Sequence, residues 1–364
     1  EEPFPLPGFP PSYSDSIFAE ACERLGLPMH SVPNARNSEP YDGESACVGY
    51  GTCRPVCPSG AKYDATRHVA KAEAAGVRVV DRAPVQRLEH DDAGQRVEAA
   101  VYATPGGETH RQEARQFVVA CGGVETPRLL LLSRSTASPD GLANSSGLVG
   151  RYFMDHLFAG TGGTVDWRTR QKHVGFITSE CHAFYDDPTR STEGTNGGVP
   201  AADADPAALG PIKLEFHNYA GPSPVELALE SEERGDDLLD SLRAAYGTHL
   251  AMGGLVGQRP RKDNYVGLDT SRTDDHGNPV PEVHWSLDAR TRRTIERANE
   301  IQERVLRELG ADVTWQVGPD ATGPAYHHMG TTRMGTDPER SVVTPRMRTH
   351  DLDNLWVAGS SVFV

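Results

Sequence analysis

Two short stretches of this 364-residue chain carry the residue types best suited to chemistry. One is Tyr326-His327-His328-Met329-Gly330-Thr331-Thr332-Arg333-Met334-Gly335, where two adjacent histidines run into a Gly-Thr turn. Imidazole accepts and donates protons near neutral pH, and Gly330 and Gly335 allow tight bends beside it. By residue type alone, the pair reads either as a proton-transfer site or as ordinary surface or packed histidines. The other stretch is Cys47-x5-Cys53-x3-Cys57-Pro58, interleaved with Gly49, Gly51 and Gly60. Three thiolates converge on one inorganic centre only where the backbone folds tightly, which glycines permit. Cys-x3-Cys-Pro matches the tail of a bacterial ferredoxin run, and three local ligands suit a three-iron cluster. A zinc site of unusual spacing and a set of unligated buried thiols are the other readings. Cys22, Cys121 and Cys181 are scattered, which is not the pattern of a disulfide scaffold.

The elements that must position these stretches read as a mixed α/β (α+β) chain. Residues 1–14 are proline-rich and extended. Ser14-Asp15-Ser16, the apolar period to Leu25 and the stop at Gly26 predict a short helix. Residues 28–43 read as loop, and an amphipathic helix is expected over 64–75. Strands are expected at 77–80, 84–88 and 96–102. Phe117-Val118-Val119-Ala120-Cys121 is a short apolar strand entering Gly122-Gly123, and a helix is expected from Thr126-Pro127 to Leu132. Strand, double glycine and helix together let backbone amides approach a dinucleotide, although a plain packed βα turn gives the same pattern. Over 157–290 the short runs Val174–Ile177, Ile212–Phe216, Asn264–Asp269 and Glu282–Leu287 predict one antiparallel sheet. A helix is expected over 238–246, and the longest one over 288–309. Asp274 to Pro279 reads as a turn, because it lacks calcium-loop spacing.

The net charge of −15 disfavours nonspecific nucleic-acid binding. No apolar run approaches the roughly 20 residues of a transmembrane helix. Lysine occurs only at 62, 71, 172, 213 and 262, and acidic stretches such as Glu230–Asp237 recur. They read as a solvated surface or as adaptation to high salt.

His327-x-x-Gly330-Thr331-x-Arg333-Met334-Gly335, followed by Asp351-Leu-Asp-Asn-Leu-Trp-Val-Ala-Gly-Ser-Ser361, resembles the C-terminal signature of the glucose–methanol–choline (GMC) family of flavin oxidoreductases. Those enzymes oxidise an alcohol to a carbonyl. Arg36–Gly43, the cysteines and Pro58–Tyr63 resemble the branch of FAD-dependent glucose dehydrogenase catalytic subunits. Asn144 to His156 also resembles a family segment, the one leading from flavin domain to substrate domain. The resemblance implies an FAD-binding Rossmann-like domain and an antiparallel-sheet substrate domain. It divides the chain into 1–156 with the cysteine cluster, 157–320 as substrate domain, and 321–364 returning to the flavin domain.

The resemblance further implies His327 as the catalytic base, with Val85, Cys121, Gly122, Gly123, Gly359, Ser360 and Ser361 near FAD. Cys47, Cys53 and Cys57 would hold a three-iron iron–sulfur cluster (3Fe-4S) that passes electrons to a cytochrome or other acceptor subunit. The family often carries Asp where Gly359 stands. His156 and His328 are expected to be structural. The substrate would be a small alcohol, sugar or polyol. No Gly-x-Gly-x-x-Gly occurs, and the family's downstream Asn-Pro segment is missing, so the chain is expected to be a fragment. An oxidase with a vestigial or zinc-bound cysteine cluster and a non-catalytic remnant are the alternative functions.

Overall fold

The computed structural model describes residues 4–53, 56–171, 177–186, 209–218 and 221–364. In chain order the elements are α1 (Tyr13–Arg24), β1 (His30–Ser31), α2 (Thr66–Ala74), β2 (Val85–His90), β3 (Val97–Ala103), β4 (Thr109–Glu113), β5 (Phe117–Val119) and α3 (Gly122–Leu132). There follow β6 (Leu157–Thr164), β7 (Ser179–Phe184), β8 (Ile212–His217), α4 (Pro224–Glu230), α5 (Gly235–Ala245) and β9 (His249–Val256). The last are β10 (Tyr265–Thr273), β11 (Pro279–His284), α6 (Ala289–Glu308), β12 (Asp312–Val317) and β13 (Leu355–Val357). A 3-10 turn follows β13 at Ser360–Val362. The mixed helix-and-sheet class expected from sequence is the one observed.

The chain forms two compact units. Glu1–Gly76, Leu157–Gly257 and Asp288–Gly323 make the first; Val77–His156, Gln258–Leu287 and Pro324–Val364 make the second.

The first unit is built on a six-stranded antiparallel sheet in the order β1-β7-β8-β9-β6-β12. Helix α6 packs on it because Thr291, Ile295, Ala298, Ile301, Gln302, Val305 and Leu306 recur every three or four residues and are all buried. Asp288 caps this helix by accepting the Thr291 N–H at 2.7 Å. Helix α1 begins one turn earlier than expected, because Ser12 and Asp15 form a reciprocal capping box. Its Phe18 meets Phe216 of β8 with ring centroids 5.0 Å apart.

Adjacent strands of the same sheet carry a ladder of charge. Glu180 lies opposite Glu215 in register. Lys213 reaches both, with Nζ 2.7 Å from Glu180 Oε1 and 2.8 Å from Glu215 Oε1. His182 Nε2 stands 3.0 Å from Glu180 Oε2, and His217 Nε2 stands 3.6 Å from Glu215 Oε2. Burial pushes the Glu215 carboxyl up, but its contacts with His217 and Lys213 outweigh burial and hold it at about 2.

The second unit contains the three-stranded antiparallel sheet β2-β3-β4, the hairpin β10-β11 and a parallel pair, β13-β5. Its core joins Phe117 and Val119 of β5, Leu355 and Val357 of β13, and Leu129 and Leu130 of α3.

Several local expectations are corrected. Residues 77–80 form no strand; Val77, Val79 and Val80 are exposed and pair with nothing among the described residues, and an unpaired strand lacks the ladder that would hold it. Asn264–Asp269 and Glu282–Leu287 do not join the six-stranded sheet but pair with each other as β10 and β11. Of the expected strand Val174–Ile177, residues 174–176 lie outside the described residues, and Ile177 lies before β7. Helix α3 starts at Gly122, four residues before the expected start.

Candidate functional site

The site in the second unit grows from the ends of two parallel strands. Phe117, Val118 and Val119 of β5 stand in register with Leu355, Trp356 and Val357 of β13. Beyond their carboxyl ends lie Gly122 and Gly359, both at positive φ, 77° and 121°. A methyl group added at either would meet no atom within 4 Å. The carboxyl ends of parallel strands are where open α/β sheets bind ligands, and here the backbone at both ends is bare and accessible. Gly122 and Gly359 thus leave open backbone at the carboxyl ends of both strands, the feature that a dinucleotide-binding turn requires.

The early start of α3 leaves Pro127 inside the helix, where it has no N–H to give the Gly123 carbonyl. That carbonyl instead accepts the Thr331 hydroxyl at 2.7 Å. The contact fastens the histidine segment to the strand–helix turn. Gly123 itself leaves no room for a side chain: a Cβ there would come 2.5 Å from the His328 carbonyl oxygen. From the other strand end, Ser360 Oγ donates to the same His328 carbonyl at 2.6 Å. Thr332 N–H donates to the Ser361 carbonyl at 2.8 Å, and the Thr332 hydroxyl donates to Ser361 Oγ at 2.8 Å.

A second clamp comes from the segment before β6. Met154 and Met329 exchange backbone hydrogen bonds, each 3.0 Å. This brings Asp155 and His156 against the two histidines. Asp155 is buried; its Oδ1 accepts the His327 backbone N–H at 2.9 Å, and its Oδ2 lies 3.5 Å from His328 Nε2 without a hydrogen bond. His156 Nδ1 and His327 Nδ1 are 2.9 Å apart, with the rings nearly perpendicular at 83°. The His328 ring lies against Phe153, with centroids 5.4 Å apart. Two imidazoles in hydrogen-bonding contact and a buried carboxylate can take up a proton and pass it on.

The structure therefore brings His327, Gly123, Ser360 and Ser361 into one set of contacts with Thr331, Thr332, Asp155 and His156. Sequence reading did not pair His156 with His327, which lie 171 positions apart. The only local signal was the Asp155-His156 dipeptide. Cys121 donates its N–H to Thr126 Oγ1 at 3.1 Å, at the start of α3. Val85 opens β2, opposite Tyr102, and is half exposed; no contact with the histidines accompanies it.

The three cysteines lie in the first unit. Cys47, Cys53 and Cys57 line one small hollow of about 10 Å³ together with Gly49, Gly51 and Pro58. Arg36, nearly buried, directs Nη1 towards Cys47 Sγ at 3.9 Å. Cys57 Sγ accepts the Lys62 N–H at 3.4 Å and lies 3.6 Å from Ser59 Oγ. Burial pushes the Cys57 thiol up, but these hydrogen bonds outweigh it and hold the thiol below its ordinary value. The surroundings thus favour thiolate at Cys57. Among the described residues, however, no three His, Cys, Asp or Glu side chains are arranged to hold a metal ion. The trio shares one hollow, and its thiols are free in this structure.

This fold and site belong to a recognisable class. Profiles of the GMC oxidoreductase family match residues 10–158 and 260–364, and the chain belongs to that family. It is similar to the fructose dehydrogenase large subunit of Gluconobacter japonicus, 32% identical over 98% of this chain and 62% of the relative. It is also similar to 2-methyl-1,2-propanediol dehydrogenase of Mycolicibacterium austroafricanum, 30% identical over 94% and 60%. The 6'''-hydroxyparomomycin C oxidase of Streptomyces lividus is 32% identical over 98% and 60%. The chain spans about 60% of the length of these curated relatives. Among solved structures, pyridoxine 4-oxidase from Mesorbium loti shares the fold with a TM-score of 0.59 at 20% identity, over 98% of this chain and 66% of that one.

Among the described residues, no helix is long and apolar enough to cross a membrane.

Proposed function

We propose that the protein takes part in FAD-dependent oxidation of an alcohol, a CH–OH group of a sugar or polyol, to a carbonyl. FAD bound against the Cys121–Gly123 and Gly359–Ser361 turns, with Val85 nearby, would supply the hydride acceptor. The chain's own part is to hold the substrate hydroxyl against His327 and receive its proton. The observation that carries this reading is the immobilised histidine: Asp155 fixes the His327 backbone N–H at 2.9 Å, and Ser360 Oγ holds its neighbour's carbonyl at 2.6 Å. A base held in place before reaction needs no reorganisation to meet the hydroxyl. The sugar and diol substrates named in two of the relatives support the polyhydroxylated class.

The deciding experiment is anaerobic mixing of the flavin-loaded full-length protein with D-fructose and a panel of polyols. Bleaching of the oxidised flavin spectrum by at least one of them is expected. A protein that binds flavin and stays oxidised with every alcohol tried would end the proposal, as would one that binds no flavin.

The dehydrogenase form is favoured over the oxidase, with electrons passing to an acceptor subunit such as a cytochrome. The similarity to a protein named as a large subunit supports a partner. Oxidases among the similar proteins, the one of Streptomyces lividus included, keep oxygen as the second reading. Turnover with a dye acceptor and little oxygen uptake is expected; rapid oxygen uptake would favour the oxidase. Cys47, Cys53 and Cys57 are the proposed ligands of an iron–sulfur cluster, tested by iron and acid-labile sulfide in anaerobically purified protein. Absence of both would leave three thiols with a structural role.

A further inference from the structure

We infer that His156 is a proton relay behind His327, so that the proton taken from the alcohol leaves through a two-histidine wire. This rests on the reading of His327 as the base. The ground for it is the contact between the two Nδ1 atoms, 2.9 Å apart. At that separation one Nδ1 must donate and the other accept, since two bare or two protonated nitrogens would repel. In the neutral pair a single proton lies between the rings. The ring that donates through Nδ1 has a bare Nε2; the ring that accepts carries its proton on Nε2. With both Nδ1 atoms engaged, the pair therefore presents one bare Nε2 and one Nε2–H at its two outer ends.

The relay follows when His327 is the donor. Its bare Nε2 takes the hydroxyl proton: the O–H bond breaks and an Nε2–H bond forms. The Nδ1 proton of His327 then crosses to His156 Nδ1, leaving His327 neutral and His156 as the imidazolium. His156 finally releases its Nε2 proton to solvent. No electrons move in these steps; accepting hydride from the carbon would be the separate contribution of a bound flavin. Asp155 makes the geometry durable. Its backbone precedes His156, and its Oδ1 holds the His327 N–H, so one buried carboxylate ties together the two backbone segments that carry the rings. The Ala325 N–H also donates to the His156 carbonyl at 3.2 Å, tying the two segments again just before His327. Acting through its contact with His327, His156 is a positioning and relay residue.

The test uses flavin-loaded full-length protein. His156→Ala is expected to lower kcat/KM for the oxidised alcohol on the order of ten- to a hundredfold, with imidazole in the assay restoring part of the loss. His156→Gln offers a hydrogen-bonding partner to His327 Nδ1 but cannot carry a proton, and it should stay slow. Full activity in the Gln variant, or an Ala variant as fast as wild type, would overturn the relay. A readout independent of turnover comes from protein labelled with 15N-histidine: one imidazole N–H shared between two rings should appear in wild type and vanish in both His156→Ala and His327→Ala. Its absence from wild type would overturn the inference even where alcohol oxidation is intact. Failure of wild type to oxidise any alcohol, with the shared proton present, would overturn the assigned reaction instead.

Discussion

The charge ladder of the first unit and the histidine cluster of the second use the same ingredients, carboxylate and imidazole, to opposite ends. In the ladder every carboxylate is met: Lys213 bridges Glu180 and Glu215, and a histidine closes each end. In the cluster Asp155 commits one oxygen to a backbone N–H and leaves the other without a hydrogen bond, while two histidines face each other. Buried charges that compensate one another hold a fold in register; groups with unused capacity are the ones that can gain a proton during turnover. Sequence position separates the two cases poorly. Geometry separates them at once.

Four changes test that difference. The largest effect belongs to the cluster. His327→Ala should lower turnover on the order of 10²- to 10⁴-fold while leaving flavin binding and the unfolding midpoint near wild type. A drop in stability as large as the drop in rate would mean that His327 is packed rather than poised.

Next is Lys213→Met in the ladder, which leaves Glu180 and Glu215 facing each other across adjacent strands. Breaking a largely buried ion pair costs about 3–5 kcal/mol, read as a lower denaturant midpoint. A midpoint within about 0.5 kcal/mol of wild type would show that water already compensates these carboxylates.

Acid should undo the ladder in the same direction. Glu215 titrates at about 2 in the folded chain against an ordinary 4.5. A depressed carboxyl contributes stability that is full above the unfolded value and is lost as pH falls from about 4.5 towards 2. By linkage this shift corresponds to about 3 kcal/mol. Glu215→Gln should flatten the fall in unfolding midpoint over that window; an unchanged acid profile would place the loss in other groups.

The same contrast governs what could be read before folding. The cysteine trio was legible because its members lie within eleven residues, and the strand–glycine–helix turn because it is continuous. Helix α6 announced itself by a buried stripe with a capping Asp288. The central strands β6 and β9 did not. Their sequences, Leu157–Thr164 and His249–Val256, carry glycines and no clean alternation, so they lack the β-branched signal of a strand and are held by pairing on both sides instead. The hairpin β10-β11 read correctly as strands but not as a sheet of its own, because pairing partners are not encoded in periodicity. His156 meets His327 through the Met154–Met329 bridge and the Asp155 contact, which no local pattern reports.

The smallest of the four effects concerns Gly359, where the family often carries Asp. Its φ of 121° with ψ of −175° lies in a region open essentially to glycine alone. A side chain there would meet no steric obstacle, since nothing lies within 4 Å of an added Cβ, so any cost must come from the backbone. Gly359→Ala should therefore destabilise by about 1–3 kcal/mol, without the clash that the same change at Gly123 would bring against the His328 carbonyl. The strain would be transmitted to Ser360, whose hydroxyl holds that carbonyl at 2.6 Å, and so to the histidine segment. The expected signature is a modest fall in flavin affinity and unfolding midpoint with turnover of the loaded protein nearly intact. A loss of turnover as deep as that of His327→Ala would mean that Ser360, and not Asp155, is the contact on which the position of the histidines chiefly depends.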